Sequence, residues 1–597
     1  MRKSSNIRHL SSYIAGNQGL FLVGFLAETA YSAGRLAGPL IIKSIIDNCI
    51  PKGDVRGMTI HAFGYFLVIA AMGFLTYFGN MTLARVGLQI VTRIKKDLFS
   101  HLLTLPLSYF DRHPVGELMS RTESDTERVR DLFSTIGVTL VNSVLFLMGM
   151  LIVCSLSEPR ITAGMAIGIV AALAIVIVFF DKLRGYYDRS RQLTAKVNAR
   201  ITEFVQGVEV LKAFGRVPWA EAALDADAKV KRDNDVRSSM LEYSAMAGLG
   251  FLIGPAFMAA VIILLAPKIL LGTLTLGTLF VFLEYGRQLL DPLMGIAENI
   301  RSVQQARVSL SRIFGILDLA PEDNSGTTAP AFDAEIEFRH VWFRYRKDEG
   351  KEAEAAPWAL RDVSFRIPKG RTLAFVGPSG SGKSTVIALL CRFYEPDKGE
   401  ILVDGVPLAK LDLPAWRSKM GLVLQDVYLF PGSVLENVRI YNDRIDRGMV
   451  QKSLETVQAG DLVAKLPNNL DSEIHERGGN VSGGEKQLLS FARAVAFGPE
   501  IVVLDEATAS IDVKTERKIK DGMASLLKGR TAVIVAHRLS SILNADEILF
   551  MKDGRIAARG RHPELLAGFP EYAELVRLQL LGGQGRDQEV ATAMEED

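Results

Sequence analysis

Nine consecutive residues, Gly377-Pro378-Ser379-Gly380-Ser381-Gly382-Lys383-Ser384-Thr385, match the pattern G-x-x-x-x-G-K-[ST]. That spacing suits phosphate. The glycines let the backbone wrap so that its N–H groups point inward, and a following helix offers its positive N-terminus. Lys383 would neutralise the β and γ phosphates of a nucleotide, and Ser384 would ligate magnesium. A second run, Ile501-Val502-Val503-Leu504-Asp505-Glu506, is an apolar strand that ends in two carboxylates. Asp505 would hold magnesium, directly or through water, while Glu506 would polarise the water that attacks the γ phosphate. A third run, Asn480-Val481-Ser482-Gly483-Gly484-Glu485-Lys486-Gln487, precedes a helical stretch from Leu488 to Ala496. Ser-Gly-Gly at a helix start presents a hydroxyl and free N–H groups to an anion. Paired acids after a strand are commonly a solvated loop, and Ser-Gly before a helix is usually a cap. The phosphate loop beside them gives the acids a second meaning, and the spacing from the strand that ends in those acids gives one to the Ser-Gly-Gly.

These motifs need elements to hold them. Short β-branched runs, Thr372 to Val376, Ile501 to Leu504 and Thr531 to Val535, alternate with helical stretches, the pattern of a parallel sheet with crossover helices. The phosphate loop follows the first of these strands directly. Upstream, the Pro-, Ser-, Gly- and Thr-rich stretch Ala320 to Pro330 reads as a linker.

The region before about residue 300 has a different character. Leu132 to Ser157, Ile161 to Phe180 and Ser244 to Pro267 are long runs without charge, and Met58 to Ala84 is broken only by His61. Two weaker runs complete a set of six: Gly19 to Ile42, with Glu28 and Arg35, and Ile269 to about Leu293, with Glu284 and Arg287. A bilayer is crossed by roughly 20 apolar residues in a helix, so the spacing predicts six membrane spans. Basic residues crowd two connections, from Arg85 to Arg130 and from Lys182 to Arg237. Short basic loops stay in the cytoplasm, which puts these two inside, the loops near Pro51, Glu158 and Pro267 outside, and both termini in the cytoplasm. The two inner connections read as helical extensions of the spans, turning at Asp111-Arg112-His113-Pro114-Val115-Gly116 and at Gly215-Arg216-Val217-Pro218-Trp219.

Composition sets the outer bounds. At 597 residues the chain is too long for a single core, and its 48% hydrophobic content exceeds what a disordered or collagen-like chain carries. Lys and Arg total 69 against 67 Asp and Glu, a net +2 that argues against nucleic-acid binding. The three cysteines, Cys49, Cys154 and Cys391, are far apart and odd in number, so neither a disulfide framework nor a cysteine metal site is indicated.

Together these residues resemble the ATP-binding cassette (ABC) transporters, specifically half-transporters of the exporter type, over nearly the whole chain. Val481 to Glu485 is similar to the family's signature, with Val for the usual Leu and Glu for the usual Gln. Gln425 in Val423-Leu424-Gln425-Asp426 resembles the Q-loop, Ser510-Ile511-Asp512 the D-loop, His537 the switch histidine and Tyr345 the adenine-stacking aromatic. Glu476 resembles the exporter-specific segment that meets the coupling helices. Tyr109-Phe110-Asp111 with Pro114, Gly116, Ser120 and Arg121 is similar to the first intracellular loop, and Phe214-Gly215-Arg216 to the second.

The resemblance implies a multidomain chain. A six-helix all-α transmembrane domain (1–318), with long cytoplasmic helical extensions, is followed by an α/β P-loop ABC nucleotide-binding domain (319–582) and a disordered acidic tail (583–597). It implies ATP and Mg2+ as ligands, with His537 on the γ phosphate and Gln425 on the magnesium. It also implies a dimer in which one chain's P-loop and the other's Ser482, Gly483 and Gly484 enclose each ATP. The partner is a second half-transporter. Gln487 to Ala494 looks like the hydrolysis-competent subunit of bacterial heterodimeric multidrug exporters, while the intact catalytic set equally permits a homodimer. The function implied is ATP-driven export of a small or amphipathic molecule, a drug or a lipid, across a bacterial plasma membrane by alternating access. An importer of the same architecture and an ATP-gated channel or regulatory subunit are the alternatives. Glu506 and His537 favour hydrolysis. Glu28, Arg35, Glu284 and Arg287, with Tyr31, Phe280, Phe282 and Tyr285, are candidates for a substrate cavity, because charges inside a membrane usually face a polar group or a cavity.

Overall fold

A computed structural model of the protein describes residues 9–10, 12–345, 356–505, 513–536 and 542–578. The expected acidic tail lies outside these residues, as do Glu506, Ser510-Ile511-Asp512 and His537. The chain divides into two compact units, Met1–Leu103 with Val115–Leu319, and Thr104–Pro114 with Ala320–Asp597.

The first unit is helical. Its main helices are Gln18–Ser44, Val55–Leu102, Gly137–Ser157, Pro159–Gln206, Val217–Leu270, Leu276–Arg287 and Leu290–Leu317. Among the described residues, Val55–Leu102, Val115–Ser157 and Pro159–Gln206 are each long and apolar enough to cross a membrane. Val55–Leu102 and Pro159–Gln206 have 48 residues each, about 72 Å at 1.5 Å per residue, against roughly 30 Å of hydrocarbon. Each therefore continues well beyond a bilayer, as the reading of the inner connections as helical extensions requires. Local chemistry sets the boundaries: the Asp54 carboxylate accepts from Gly57 N–H at the start of one long helix, and Pro159 occupies the first turn of the other.

The sixth span differs from expectation. The fifth helix runs through Pro267 to Leu270, and the turn falls at Leu271–Thr275 instead of at Pro267. Gly272 adopts φ +70° there, and the Thr275 hydroxyl caps the next helix by accepting from Thr278 N–H. The final helical stretch is also interrupted at Gln288 and Leu289 before Leu290–Leu317 begins. Two apolar cores hold this unit. One gathers Phe146, Met150, Leu265, Phe282, Tyr285 and Leu293; the other gathers Val86, Ile90, Ile94, Val129, Ile313 and Phe314.

The second unit is α/β. Its strands are β1 (Glu335–Phe343), β2 (Leu360–Pro368), β3 (Thr372–Val376), β4 (Lys398–Val403), β5 (Val406–Pro407), β6 (Met420–Val423), β7 (Gly432–Ser433), β8 (Glu473–Ile474), β9 (Ile501–Asp505), β10 (Thr531–Val535), β11 (Glu547–Lys552) and β12 (Arg555–Gly560). β2-β1-β4-β5 form one sheet, β12-β11-β3-β10-β9-β6 a second, and β7-β8 a ribbon. Within the second, β11, β3, β10, β9 and β6 run parallel. Their residues sort by alternation. Ala374, Val376, Val502, Leu504, Ala532 and Ile534 join a core with Val450, Leu488 and Phe491 from the helical layer. Leu373, Phe375, Ile501, Val503, Val533 and Val535 join another with Phe338, Phe365, Val386 and Trp416. Burial on both faces is why these strands read as unbroken apolar runs.

The segment read as a linker is tied down. Thr328 N–H donates to Lys410 O and Asp412 N–H to Thr328 O, while the Arg417 guanidinium clasps both Glu322 carboxylate oxygens at 2.8 and 2.7 Å.

Candidate nucleotide site

Parallel strands deliver their C-terminal ends to one edge of a sheet, and this edge carries the predicted chemistry. The phosphate loop follows β3, Gln425 lies two residues beyond β6, and Asp505 ends β9 opposite Val535 of β10. Ser384 and Thr385 open the Lys383–Leu390 helix. An edge of this kind is where open α/β sheets bind ligands.

The loop's conformation depends on glycine. Gly377 has φ +142°, and a Cβ there would stand 2.1 Å from the carbonyl oxygen of Met551. Gly382, at φ +101°, faces the Ala359 carbonyl and the Leu360 side chain in the same way. Gly380 is also left-handed, at φ +77°, but has open space around it. The loop thus combines tight backbone approach at its ends with an exposed crown of Pro378, Ser379 and Gly380. Lys383 is only 5% exposed, and its ammonium donates to the carbonyls of Gly377 and Pro378 at 2.9 Å each. Burial pulls its pKa below the ordinary lysine value, and the charge of Asp505 acts in the opposite direction.

At this edge, two buried oxygens have no hydrogen-bond partner among the described residues: Ser381 Oγ in the loop and Asp505 Oδ1 at the end of β9. Buried polar groups in folded proteins are normally satisfied, so at this edge these two atoms invite a ligand. A loop of N–H donors with a lysine fits a triphosphate. A carboxylate oxygen in need of a partner, together with the exposed Ser384 hydroxyl at the helix start, fits a hard cation such as magnesium.

Tyr345 ends the strand-β1 region beside this loop. Its hydroxyl donates to Thr385 Oγ1 at 3.3 Å, and the residue is 41% exposed. The rings of Phe343 and Tyr394 meet it edge-on at 4.9 and 5.2 Å. Gln425 is exposed, in the loop that leads from β6.

Ser482, Gly483 and Gly484 stand elsewhere, at the start of the Gly483–Ala496 helix. Ser482 Oγ accepts from Glu485 N–H while Glu485 Oε2 accepts from Ser482 N–H at 2.9 Å, a reciprocal capping box. The glutamate that departs from the family's usual glutamine performs a capping role open to either residue. No hydrogen bond among the described residues joins Ser482–Gly484 to the phosphate loop. Arg493, farther along the helix, was not singled out from sequence. It donates to Tyr428 O at 3.2 Å and to Asn437 O at 3.0 Å, bracing the segment that follows Gln425. Its partners are backbone carbonyls of residues more than 50 positions away, which no local pattern announces.

In the membrane unit, the four intramembrane charges have partners. Glu28 is buried and accepts from Asn142 Nδ2. Arg35 lies over the Phe146 ring at 4.2 Å and donates to Gln288, and Glu284 accepts from both Arg287 and Gln288. Phe282 and Tyr285 are buried in the core, where the Tyr285 hydroxyl donates to Leu36 O. Internal pairing accounts for Arg35, Glu284, Arg287 and Tyr285, whereas Glu28 Oε1 and Asn142 Oδ1 are buried without a hydrogen-bond partner among the described residues.

With this geometry in hand, the relatives can be compared. The ABC transporter transmembrane region family matches residues 21–293, and the ABC transporter family matches residues 360–509. This chain belongs to the ABC transporters, with the membrane region and the ATP-binding domain fused in one polypeptide. It is 33% identical over 534 residues to a Bacillus subtilis (strain 168) protein named "Probable multidrug resistance ABC transporter ATP-binding/permease protein YheH", covering 88% of this chain and 77% of that one. It is 31% identical over 547 residues to the ATP-dependent lipid A-core flippase of Haemophilus ducreyi (strain 35000HP / ATCC 700724), covering 90% and 92%. Among solved structures, a bacterial Atm1-family ABC exporter with ATP bound aligns with TM-score 0.75 and 27% identity, covering 96% of this chain and 98% of that one. The protein is therefore an integral membrane, ATP-driven transporter, and its relatives favour export over import. One membrane region with one ATP-binding domain is half of such a machine, which implies that it dimerises.

Proposed function

We propose that the chain exports a small or amphipathic molecule, a drug or a lipid, across a bacterial plasma membrane, as one half of a homodimer or of a heterodimer with a second half-transporter. Both termini lie in the cytoplasm in this reading, which rests on the basic residues of the two inner connections. The observation that carries it is the convergence of the phosphate loop, Gln425 and Asp505 on one sheet edge, with two buried oxygens there lacking partners.

In this reading, Gly377 to Thr385 wrap the phosphates of ATP, Lys383 turns its ammonium from its own loop's carbonyls to the β and γ phosphates, and Tyr345 stacks on the adenine. Ser384, Gln425 and Asp505 hold Mg2+, which supplies charge neutralisation for phosphoryl transfer. Glu506 orients and deprotonates the attacking water, and His537 holds the γ phosphate. Ser482, Gly483 and Gly484 meet the ATP on the partner chain's phosphate loop. Closure of two such domains over ATP drives the membrane halves outward-facing, and hydrolysis resets them.

The deciding experiment is ATPase activity of the full chain in lipid nanodiscs, with its mass measured on the same sample, before and after Glu506→Gln. Hydrolysis by a particle of twice the chain mass, lost in Glu506→Gln with ATP binding retained, supports the proposal in homodimeric form. Unchanged turnover in Glu506→Gln removes that residue from its role. A silent monomer that becomes active with a second half-transporter selects the heterodimer.

A further inference from the structure

Glu28 sits where three of the apolar helices meet. It belongs to the Gln18–Ser44 helix and is 5% exposed. Asn142 of the Gly137–Ser157 helix donates from Nδ2 to Glu28 Oε2 at 3.2 Å. Gly79 of the Val55–Leu102 helix makes the room: a Cβ there would stand 2.8 Å from Glu28 Oε1 and 3.0 Å from its Cγ. The pair is incomplete. Glu28 Oε1 and Asn142 Oδ1 are both buried acceptors without a donor among the described residues. Rotating the amide exchanges its oxygen and nitrogen and leaves the same deficit, since a carboxylate brings no proton of its own. Nor do the surrounding helices supply a cation. Arg35, about two turns along the same helix, lies over the Phe146 ring at 4.2 Å and donates to Gln288. On the Leu276–Arg287 helix, Glu284 and Arg287 pair with each other and the Tyr285 hydroxyl donates to Leu36 O. The Gly137–Ser157 helix has no Asp, Glu, Lys, Arg or His, and Val55–Leu102 has none between His61 and Arg85.

A bare carboxylate at this place carries an unpaired charge and leaves two acceptors unsatisfied within the apolar spans, and each of these is costly. A single proton removes all of them. A planar carboxyl and a planar amide already joined by one N–H···O bond close a ring through their other two oxygens once that proton is present. We propose that Glu28 and Asn142 form a proton-binding site in the membrane unit, with the proton on Glu28 Oε1 donated to Asn142 Oδ1, and that the proton is released when the two helices part. On parting, the carboxyl loses its amide and meets water, where glutamic acid, with a pKa of about 4.3, is ionised at neutral pH. The O–H bond breaks, its electron pair stays on the carboxylate and the proton passes to solvent, so no co-reactant is required. A transport cycle that opens this packing is thereby linked to a proton. The release step rests on the alternating-access reading above; the binding site does not.

The test is infrared difference spectroscopy on the full chain in nanodiscs at pH 7. Subtracting Glu28→Gln from the parent is expected to leave the carbonyl band of a protonated carboxyl, which shifts in D2O. Glu28→Gln keeps the ring, because its amide can donate to Asn142 Oδ1, so this variant should fold and melt like the parent. In Asn142→Leu the band should move toward that of a carboxyl without hydrogen bonds. Gly79→Ala, whose Cβ crowds Oε1, should shift the same band and serves if the leucine variant fails to fold. No band in the parent, or a band unmoved in these variants, overturns the proposal. Thr76 Oγ1, on the same helix as Gly79, is also buried without a partner, which makes sodium the rival occupant. A band that is lost when sodium chloride replaces choline chloride assigns the site to the metal ion and overturns the proton. For release, the non-hydrolysable ATP analogue AMP-PNP with magnesium is expected to weaken the Glu28 band and to acidify a lightly buffered sample by about one proton per chain, with neither change in Glu28→Gln. A band indifferent to nucleotide in a sample that hydrolyses ATP overturns the release step. A sample that keeps the band but hydrolyses no ATP supports the binding site and counts against the homodimeric transport reading alone.

Discussion

Replacing Gly377 with alanine tests the phosphate loop at the point where its geometry is least forgiving. A side chain at φ +142° costs about 1–3 kcal/mol in backbone energy alone. The new Cβ would also lie 2.1 Å from Met551 O, far inside the 3.4–4 Å of ordinary contact. That neighbour is backbone, fixed by the pairing of β11 with β3 (Phe550 opposite Val376), so it cannot swing away as a flexible side chain would. Relief requires the loop to shift by roughly 1 Å, which displaces its N–H groups from the phosphates. A total near 3 kcal/mol is about two decades in ATP affinity. Gly380→Ala is the internal control: its φ of +77° is also left-handed, but nothing stands within 4 Å, so only about 1–2 kcal/mol, roughly one decade, is at stake. ATP affinity of both variants in nanodiscs, measured at matched folded fraction by circular dichroism, gives the ranking. If Gly380→Ala is as damaging as Gly377→Ala, the close approach to Met551 is not what shapes the loop.

Two further outcomes follow from the same domain. Glu485→Gln should leave stability and ATPase within about twofold because the capping box accepts either residue, whereas Glu485→Ala should destabilise the domain by about 1 kcal/mol, read as a lower melting midpoint. Asp404 accepts from the backbone N–H groups of Asp333, Ala334 and Glu335 at 2.6, 2.9 and 2.8 Å. Burial pushes its pKa up, but these donors and Lys369 prevail and hold it below the usual carboxylate value. Its stabilisation is therefore full above the unfolded-state pKa and is lost as pH falls through the depressed folded one. Asp404→Ala should melt earlier than the parent at pH 7, with the gap closing on acidification below that folded value; a gap that widens in acid would contradict the sign.

The sheet and its phosphate loop were legible because their information is local: a strand, a glycine-rich turn and a helix start are contiguous, and alternation along β3, β9 and β10 follows from burial on both faces. The sixth span was misplaced because hydropathy cannot see a turn inside an apolar run. Pro267 looked like a boundary but is carried within the helix, and the true break lies at Gly272, whose neighbours are leucines and threonines. The clasp of Arg417 on Glu322 turned a linker-like composition into an ordered strap, through a contact spanning 95 positions. The bracing role of Arg493 went unread for the same reason, since its carbonyl partners are distant in sequence even though the stretch around it resembled a known subunit.

The two 48-residue helices have a mechanical meaning. If a bilayer takes about 30 Å of each, roughly 40 Å remains as an unbroken rod beyond it. A tilt of about 10° at the membrane boundary then sweeps the far end through about 7 Å, more than one helical turn of about 5.4 Å. Small rotations among packed spans are geared up into displacements large enough to change which side chains meet at the tip, and a glycine or proline placed midway along either rod would absorb the swing before it arrived.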